Sequence, residues 1–235
     1  MLKAREMNDK EDQKKRAAKE ASLLVKDNQV IGLGTGSTVN HLIECIAERI
    51  QKENLHIKAI PTSIATAEYA RRNKIELTTF SKNPKLDIDI DGADQVDPKI
   101  NLIKGLGGAL TREKIVASAS HQFIIVVDES KMTKILGKDQ VVPVEVIPFA
   151  VPLVTQELKE LGGKPIVRTV KGSPEFYVTD NGNNVLDVDF GPIEKPEKLG
   201  SHIKMIPGVV EHGLFVDMAN AVYVGLSDKV QQIWK

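Results

Sequence analysis

The chain is predicted to be an α/β protein: a doubly wound, Rossmann-like, mostly parallel sheet with a second, smaller α+β subdomain of the split-βαβ, ferredoxin-like kind. Two observations predict the larger part. Short apolar strand stretches alternate with amphipathic helical stretches up to residue 127, and the first strand passes through a glycine turn straight into a helix. A third observation predicts the smaller part, because after Val141 the order becomes strand, helix, two strands, helix, strand. The expected bounds are 1–140 plus 208–235 for the larger domain and 141–207 for the smaller.

Residues 9–27 read as a helix, since Ala17, Ala18, Ala21, Leu24 and Val25 recur at helical spacing among Lys and Glu. An apolar strand at 29–33 follows. After the Gly34-Thr35-Gly36-Ser37-Thr38 turn, Val39, Leu42, Ile43, Ile46, Ala47 and Ile50 mark one face of a second helix, with Ser37 as a natural N-cap. The alternation continues with a strand at 57–60, a helix at 64–72, strands at 75–79 and 86–90, and a helix at 109–121. The continuous apolar run at 123–127 reads as a buried strand.

In the smaller part, a strand at 144–147 and a helix at 149–161 precede a hairpin of strands 175–179 and 185–190. The Asp180-Asn181-Gly182-Asn183 turn carries that hairpin signal. A helix at 195–205 and a strand after Pro207 complete the pattern, and a strand at 221–226 is expected to return to the first sheet.

Composition narrows the function classes. With 235 residues, 41% of them hydrophobic and 27% charged, the chain has the make-up of a globular protein with a sizeable core. Lys plus Arg and Asp plus Glu both number 32, so no global field draws the chain to nucleic acid or an anionic membrane. Neither is expected as a partner. The single cysteine, Cys45, forms no internal disulfide and reads as a packed thiol on an amphipathic helix. No run of about 18 apolar residues is present to span a bilayer. The opening 1–19 is charged rather than apolar, so no secretory signal is read there and a cytoplasmic location is expected.

Three segments can carry chemistry. The turn 32–38 lies between a strand and a helix, where glycines let a ligand approach and the helix start offers amides to an anion such as phosphate. It lacks the third glycine of a dinucleotide fingerprint and the Gly-Lys-Ser/Thr of a Walker loop. The second segment, 86–97, resembles the opening of a calcium loop, with Asp87, Asp89, Asp91 and Gly92, but Pro98 stands where a bidentate Glu is required. It reads better as a buried strand with Asp91 and Asp94 emerging at its C-terminal end, where open α/β sheets bind ligands. Asp87, Asp89 and Asp97 read as ordinary strand-end and turn residues. In the third segment, Lys104 precedes a glycine-rich turn and a helix whose opening turns carry Glu113.

Together these segments resemble the ribose-5-phosphate isomerase family of the A type. The match rests on Gly-Thr-Gly-Ser-Thr at 34–38, Asp-Gly-Ala-Asp at 91–94 and Lys-Gly-x-Gly-Gly-Ala-Leu-Thr-Arg-Glu-Lys at 104–114. Stretches at 128–131, 143–148, 179–183 and 206–210 support it, and the likeness runs from about residue 14 to the C-terminus. The resemblance implies interconversion of ribose 5-phosphate and ribulose 5-phosphate, with Glu113 as the proton-shuttling base. Asp91, Asp94 and Lys104 complete the acid–base and charge-stabilising set. It also implies a substrate site that includes Thr35, Gly36, Ser37, Thr38, Gly92, Ala93, Gly105, Leu106, Gly107 and Lys131. Glycine is usual in the family where Leu106 stands, so either a tighter turn or a less freely placed amide is expected here. A homodimer or homotetramer is implied, and no cofactor and no metal.

The residue types fit that chemistry. A closed aldose ring needs a carboxyl group to exchange a proton at its ring oxygen, for which Asp91 is the candidate. Glu113 can then move the hydrogen beside the carbonyl, if burial keeps its pKa useful. Lys104 and nearby amides can stabilise the enediolate. A metal-assisted hydride shift would need clustered ligands, whereas His41, His56, His121, His202 and His212 are scattered in the sequence. Two other classes compete: a sugar-phosphate sensor, which would need the phosphate turn but not Glu113, and a nicotinamide-dependent oxidoreductase, which would bind dinucleotides.

Overall fold

The apolar stretches at 30–33 and 123–127, and the alternating Leu, Ile and Asp residues at 86–91, become strands whose inner positions are buried on both faces, as parallel strands sandwiched by helices must be. The structure, a computed structural model, describes residues 2–235, with side chains from residue 9 onward; Met1, which opens the charged segment, lies outside the described residues. In chain order the elements of the first half are α1 (Leu2–Ser22), β1 (Val30–Leu33), α2 (Ser37–Glu53), β2 (Lys58–Pro61), α3 (Ile64–Arg72), β3 (Leu86–Asp91), β4 (Gln95–Val96), β5 (Leu102–Ile103), α4 (Leu110–Ala119) and β6 (Ser120–Asp128). They continue with β7 (Val142–Val146), α5 (Val151–Glu160), β8 (Lys164–Val167), β9 (Asn184–Asp189), α6 (Pro196–Lys204), β10 (Val209–His212), β11 (Leu214–Phe215), β12 (Ala221–Gly225) and β13 (Val230–Trp234).

The chain divides into two compact units. The first holds residues up to Ala93, Arg112–Met132 and Met218–Lys235. Its six-stranded sheet has the order β13-β12-β6-β3-β1-β2. All neighbours are parallel except β12 and β13, which close one edge antiparallel. Ala17, Ala21, Leu42, Ile43 and Ile46 of α1 and α2 share a core with Ile31, Ile88, Ile90, Ile124 and Val126 of the sheet. A smaller cluster joins Val116 of α4 to Ile60 and Leu86. The return of 221–226 to this sheet is as expected, whereas β13 was not anticipated.

The second unit holds Asp94–Thr111 and Thr133–Asp217. It contains an antiparallel sheet of order β10-β7-β9-β8 and a small three-stranded sheet, β11-β5-β4. The sequence β7-α5-β8-β9-α6-β10 has the expected β-α-β-β-α-β order. Its bounds are wider than 141–207, because β5 pairs with β11, the Thr133 amide bonds the Val96 carbonyl at 2.9 Å, and Leu136 bridges Ile193.

Several local expectations are corrected. Helix α1 ends at Ser22 rather than 27, and the Arg49 guanidinium takes up the carbonyls of Ser22 and Val25, the latter at 2.9 Å. Ser37 is the first helical residue of α2 and does not cap it; Gly36 stands at the cap with φ 126°. Residues 75–79 make only a bridge between Leu77 and Ala59. The partner of β9 across the proposed hairpin is β8, with 175–179 reduced to single bridges. The turn itself is present, with the Gly182 amide on the Thr179 carbonyl at 2.9 Å.

Candidate active site

The first unit positions its candidate residues through parallel pairing. Strand β3 lies between β1 and β6, with Leu33 opposite Ile90 and Asp91 opposite Ile125, so the three strands end on one edge. Asp91 is the last residue of β3 and is 0% exposed. Its Oδ1 accepts the backbone N–H groups of Thr35 at 2.9 Å and Gly92 at 2.7 Å, which fixes the turn after β1 to the end of β3. Beyond that turn Gly36 and Ser37 are exposed and Thr38 is half-buried.

Thr35 leads into a cluster of hydroxyls that the sequence did not single out. Its Oγ1 lies 2.7 Å from that of Thr62, 3.0 Å from Ser63 Oγ and 3.2 Å from Thr66 Oγ1. Thr66 donates to the Gly34 carbonyl at 2.8 Å, and Ser63 caps α3 by accepting the Thr66 N–H at 3.0 Å. Lys14 also enters here, donating to Ser37 Oγ at 3.0 Å. A cavity of 420 Å³ opens beside Thr35, Gly36, Ser37, Asn40, Tyr69 and Arg72. A cation, a hydroxyl and the amides of a helix start suit an anion.

Lys131 ends the 3₁₀ turn that follows β6 and is half-buried; Asp128 caps that turn by accepting the Ser130 N–H at 3.1 Å. Glu113 lies in the first turn of α4 and is 3% exposed. Helix α4 runs directly into the start of β6 and packs over β1, where a Cβ built on Gly32 would come 2.5 Å from Val116. Its first turn is therefore directed toward the edge where Asp91 ends β3.

The second unit positions Asp94, Lys104 and the glycine turn. The Asp94 N–H bonds the Ile103 carbonyl at 2.8 Å, and its Oδ2 accepts the Leu106 N–H at 3.0 Å. Lys104 is 2% exposed, its N–H is held by the Gly213 carbonyl at 2.9 Å, and its ammonium lies 5.5 Å from the centre of the Phe215 ring. The turn takes its left-handed conformations at Gly105, φ 99°, and Gly108, φ 81°, so Leu106 needs no special backbone freedom. Two further residues hold it. Arg168 donates to the carbonyls of Gly105 and Leu106 at 3.2 and 2.9 Å, and the Tyr177 hydroxyl donates to that of Gly107 at 3.3 Å. Burial pushes the Tyr177 phenol up, which keeps it a donor.

Other carboxylates are accounted for locally. Asp87 accepts the Val30 N–H at 2.8 Å, and Asp97 accepts those of Lys99 and Asn101 at 2.8 Å each, as turn and strand-end residues do. Asp89 differs from its expectation: it is fully buried in the middle of β3 beside Gly32. His41 faces Glu11 and Glu44, and among the described residues no group of three or more His, Cys, Asp or Glu is arranged to hold a metal ion. Burial raises the Cys45 thiol, as expected of a packed cysteine. No helix among the described residues is long and apolar enough to cross a membrane.

Known proteins place this arrangement in context. The sequence pattern of ribose 5-phosphate isomerase A (phosphoriboisomerase A) matches residues 58–229. The chain is 47% identical over 224 residues to ribose-5-phosphate isomerase A 1 of Oceanobacillus iheyensis, covering 95% of this chain and 99% of the relative. The structure of ribose 5-phosphate isomerase A from Methanocaldococcus jannaschii superposes with a TM-score of 0.92 at 43% identity, covering 96% of this chain and 99% of that one. A D-ribose-5-phosphate isomerase solved in complex with phospho-erythronic acid gives a TM-score of 0.93 at 38% identity, with the same coverage. The chain belongs to the ribose 5-phosphate isomerase A family.

Proposed function

We propose that the protein is an aldose–ketose isomerase that interconverts D-ribose 5-phosphate and D-ribulose 5-phosphate through a cis-enediolate, a step of the non-oxidative pentose phosphate pathway. Family membership supports the reaction, and the relative solved with a phosphorylated sugar acid supports the substrate class. The observation that carries the chemistry is Glu113, a nearly buried carboxylate in the first turn of α4, a turn directed toward the strand edge at which Asp91 ends β3.

Glu113 removes the proton at C2 of the open aldose and returns it at C1, while the hydroxyl proton on O2 passes to O1, so the carbonyl moves from C1 to C2 with no net change in oxidation state. Negative charge builds on the two oxygens of the enediolate. Lys104, poorly solvated and so electrostatically strong, stabilises it. Opening of the ring requires a proton exchange at the ring oxygen. Within the acid pair we assign that exchange to Asp94, which is half-buried, in place of Asp91, which is fully buried with Oδ1 engaged by two amides. Asp91 then serves to fix the 34–38 turn.

The start of α2, with the amides of 36–38, the Ser37 hydroxyl and Lys14, takes the phosphate. Thr35, Lys131, Gly92, Ala93 and the 105–107 turn complete the substrate contacts in this reading. Conversion of ribose 5-phosphate by the purified protein, followed as ribulose 5-phosphate, tests the reaction; binding without conversion would leave a sensor instead.

The protein acts as a homodimer or homotetramer in this proposal, supported by apolar residues of the second unit that stand in solvent, Phe149 at 96% exposure and Met205 at 81%. Light scattering that finds only monomer would contradict it. A cytoplasmic location is part of the same reading, in keeping with a single unpaired cysteine.

A further inference from the structure

We infer that Arg168 is a positioning residue for Asp94 and acts through one peptide unit, the one joining Gly105 to Leu106; this rests on the proposed isomerase chemistry. The carbonyl and N–H of a trans peptide point in opposite directions. Here the Gly105 carbonyl accepts from Arg168 Nη1 at 3.2 Å while the Leu106 N–H of the same unit donates to Asp94 Oδ2 at 3.0 Å. The guanidinium and the carboxylate therefore hold the two ends of one dipole.

Arg168 suits this task because its own position is fixed. Nε and Nη2 engage both oxygens of Asp187, and the side chain is only 12% exposed. A forked pair of this kind sets the plane of the guanidinium and so the direction of Nη1. That nitrogen reaches a second carbonyl, Leu106 O at 2.9 Å, and the guanidinium carbon lies 5.7 Å from the centre of the Tyr177 ring. The charge of Arg168 is met by Asp187, so its effect on the turn is mainly one of orientation. Without it, the 105–106 peptide can rotate about Gly105, whose φ of 99° is open to glycine alone. Rotation would aim a carbonyl oxygen at the Asp94 carboxylate in place of the N–H, and the carboxylate would leave its position.

The consequence separates two steps of the reaction. Asp94 is needed to open the ring of ribose 5-phosphate, whereas ribulose 5-phosphate is already open and requires only Glu113 and Lys104 to exchange its C1 hydrogen with solvent. Loss of Arg168 should therefore resemble loss of Asp94.

The test uses the full-length protein with R168M, R168K, D187N and D94N, each checked for an unchanged melting transition. Two rates are compared: conversion of ribose 5-phosphate, and deuterium exchange at C1 of ribulose 5-phosphate in heavy water. R168M is expected to lower kcat for conversion by about tenfold or more, with exchange at saturating ribulose 5-phosphate within about twofold of the unmodified protein, any weakened turn contact showing in KM alone. R168K, lacking the fork, and D187N, loosening it, should show the same split to a smaller degree. Adding R168M to D94N should cause no further loss, as for two residues acting through one group. Unchanged conversion, equal loss of both rates, or additive losses with D94N would overturn the assignment. If R168M fails to fold, R168K and D187N supply the same comparison. An unmodified protein that converts no ribose 5-phosphate would instead remove the isomerase reading itself.

Discussion

A Cβ built on Gly34 would stand 1.9 Å from Oδ1 of Asp91, so the residue after β1 and the last residue of β3 fit together only because position 34 carries no side chain. That approach allows the same oxygen to accept the Thr35 and Gly92 amides and so to shape the turn proposed to hold phosphate. G34A must either displace the Asp91 carboxylate or move the turn. It is expected to cost about 1–3 kcal/mol of stability, as overpacking does, and to reduce turnover as well. Urea denaturation and initial rates check both, and a stable, fully active G34A would show that the approach is not required.

Glu113 is assigned the carbon-to-carbon proton transfer, and E113Q keeps its shape while removing the base. Turnover is expected to fall by about 10²-fold or more, with the melting transition and substrate affinity largely kept. Near-normal kcat in E113Q would take the residue out of that role.

Lys104 is buried at 2% exposure, and K104M preserves most of its volume without the charge. The expected result is a loss of about 10²–10³ in kcat, because the developing oxyanion loses a cation that has little water to compete with it. Steady-state kinetics decide between this and a phosphate-binding role, which would raise KM and leave kcat unchanged.

Glu145, fully buried on β7, accepts hydrogen bonds from the hydroxyls of Thr111 and Thr179 and the side-chain amides of Asn181 and Asn183, those from Thr179 and Asn183 at 2.9 and 2.8 Å. One carboxylate thus ties Thr111 to the 179–183 turn within the second unit. E145L would leave the buried hydroxyls of Thr111 and Thr179 without that acceptor, while the more exposed amides of Asn181 and Asn183 can turn to water, and is expected to lower stability by about 2–4 kcal/mol. E145Q, which retains one acceptor oxygen, should lose less. Equal stability of E145L and the unmodified protein in urea would contradict this.

Much of the larger unit was legible because its strands are long enough to show burial and its helices long enough to show period. Ile31, Ile88, Ile90 and the 123–127 run signal strands directly, and Val39 to Ala47 mark the buried face of α2. The two-residue strands β4, β5 and β11 carry no period at all; they exist through pairing between distant segments, such as Leu214 with Ile103. Strand β13 has no sequence signal because its apolar residues Val230, Ile233 and Trp234 do not alternate with polar ones. The hairpin signal at 180–183 was real as a turn but wrong as to partner, because Thr179, Asn181 and Asn183 bond Glu145 instead of extending a ladder.

The candidate site divides in the same way. Glycine turns and strand-end carboxylates announce themselves in sequence, as Gly34, Asp91 and Gly105 did. Lys14, Thr62, Thr66 and Arg168 lie 20 or more residues from the motif each one serves, and nothing local distinguishes them from ordinary polar residues. Only the folded chain shows Lys14 on Ser37 and Arg168 on Gly105.

The most direct test of the central claim is to incubate the purified protein with ribose 5-phosphate in heavy water containing EDTA, measuring ribulose 5-phosphate together with deuterium at C1. Proton transfer through an enediolate predicts chelator-resistant conversion with solvent deuterium entering the product. Conversion that EDTA abolishes, with the C2 hydrogen carried over and no deuterium incorporated, would contradict it, since a metal-assisted hydride shift behaves in that way.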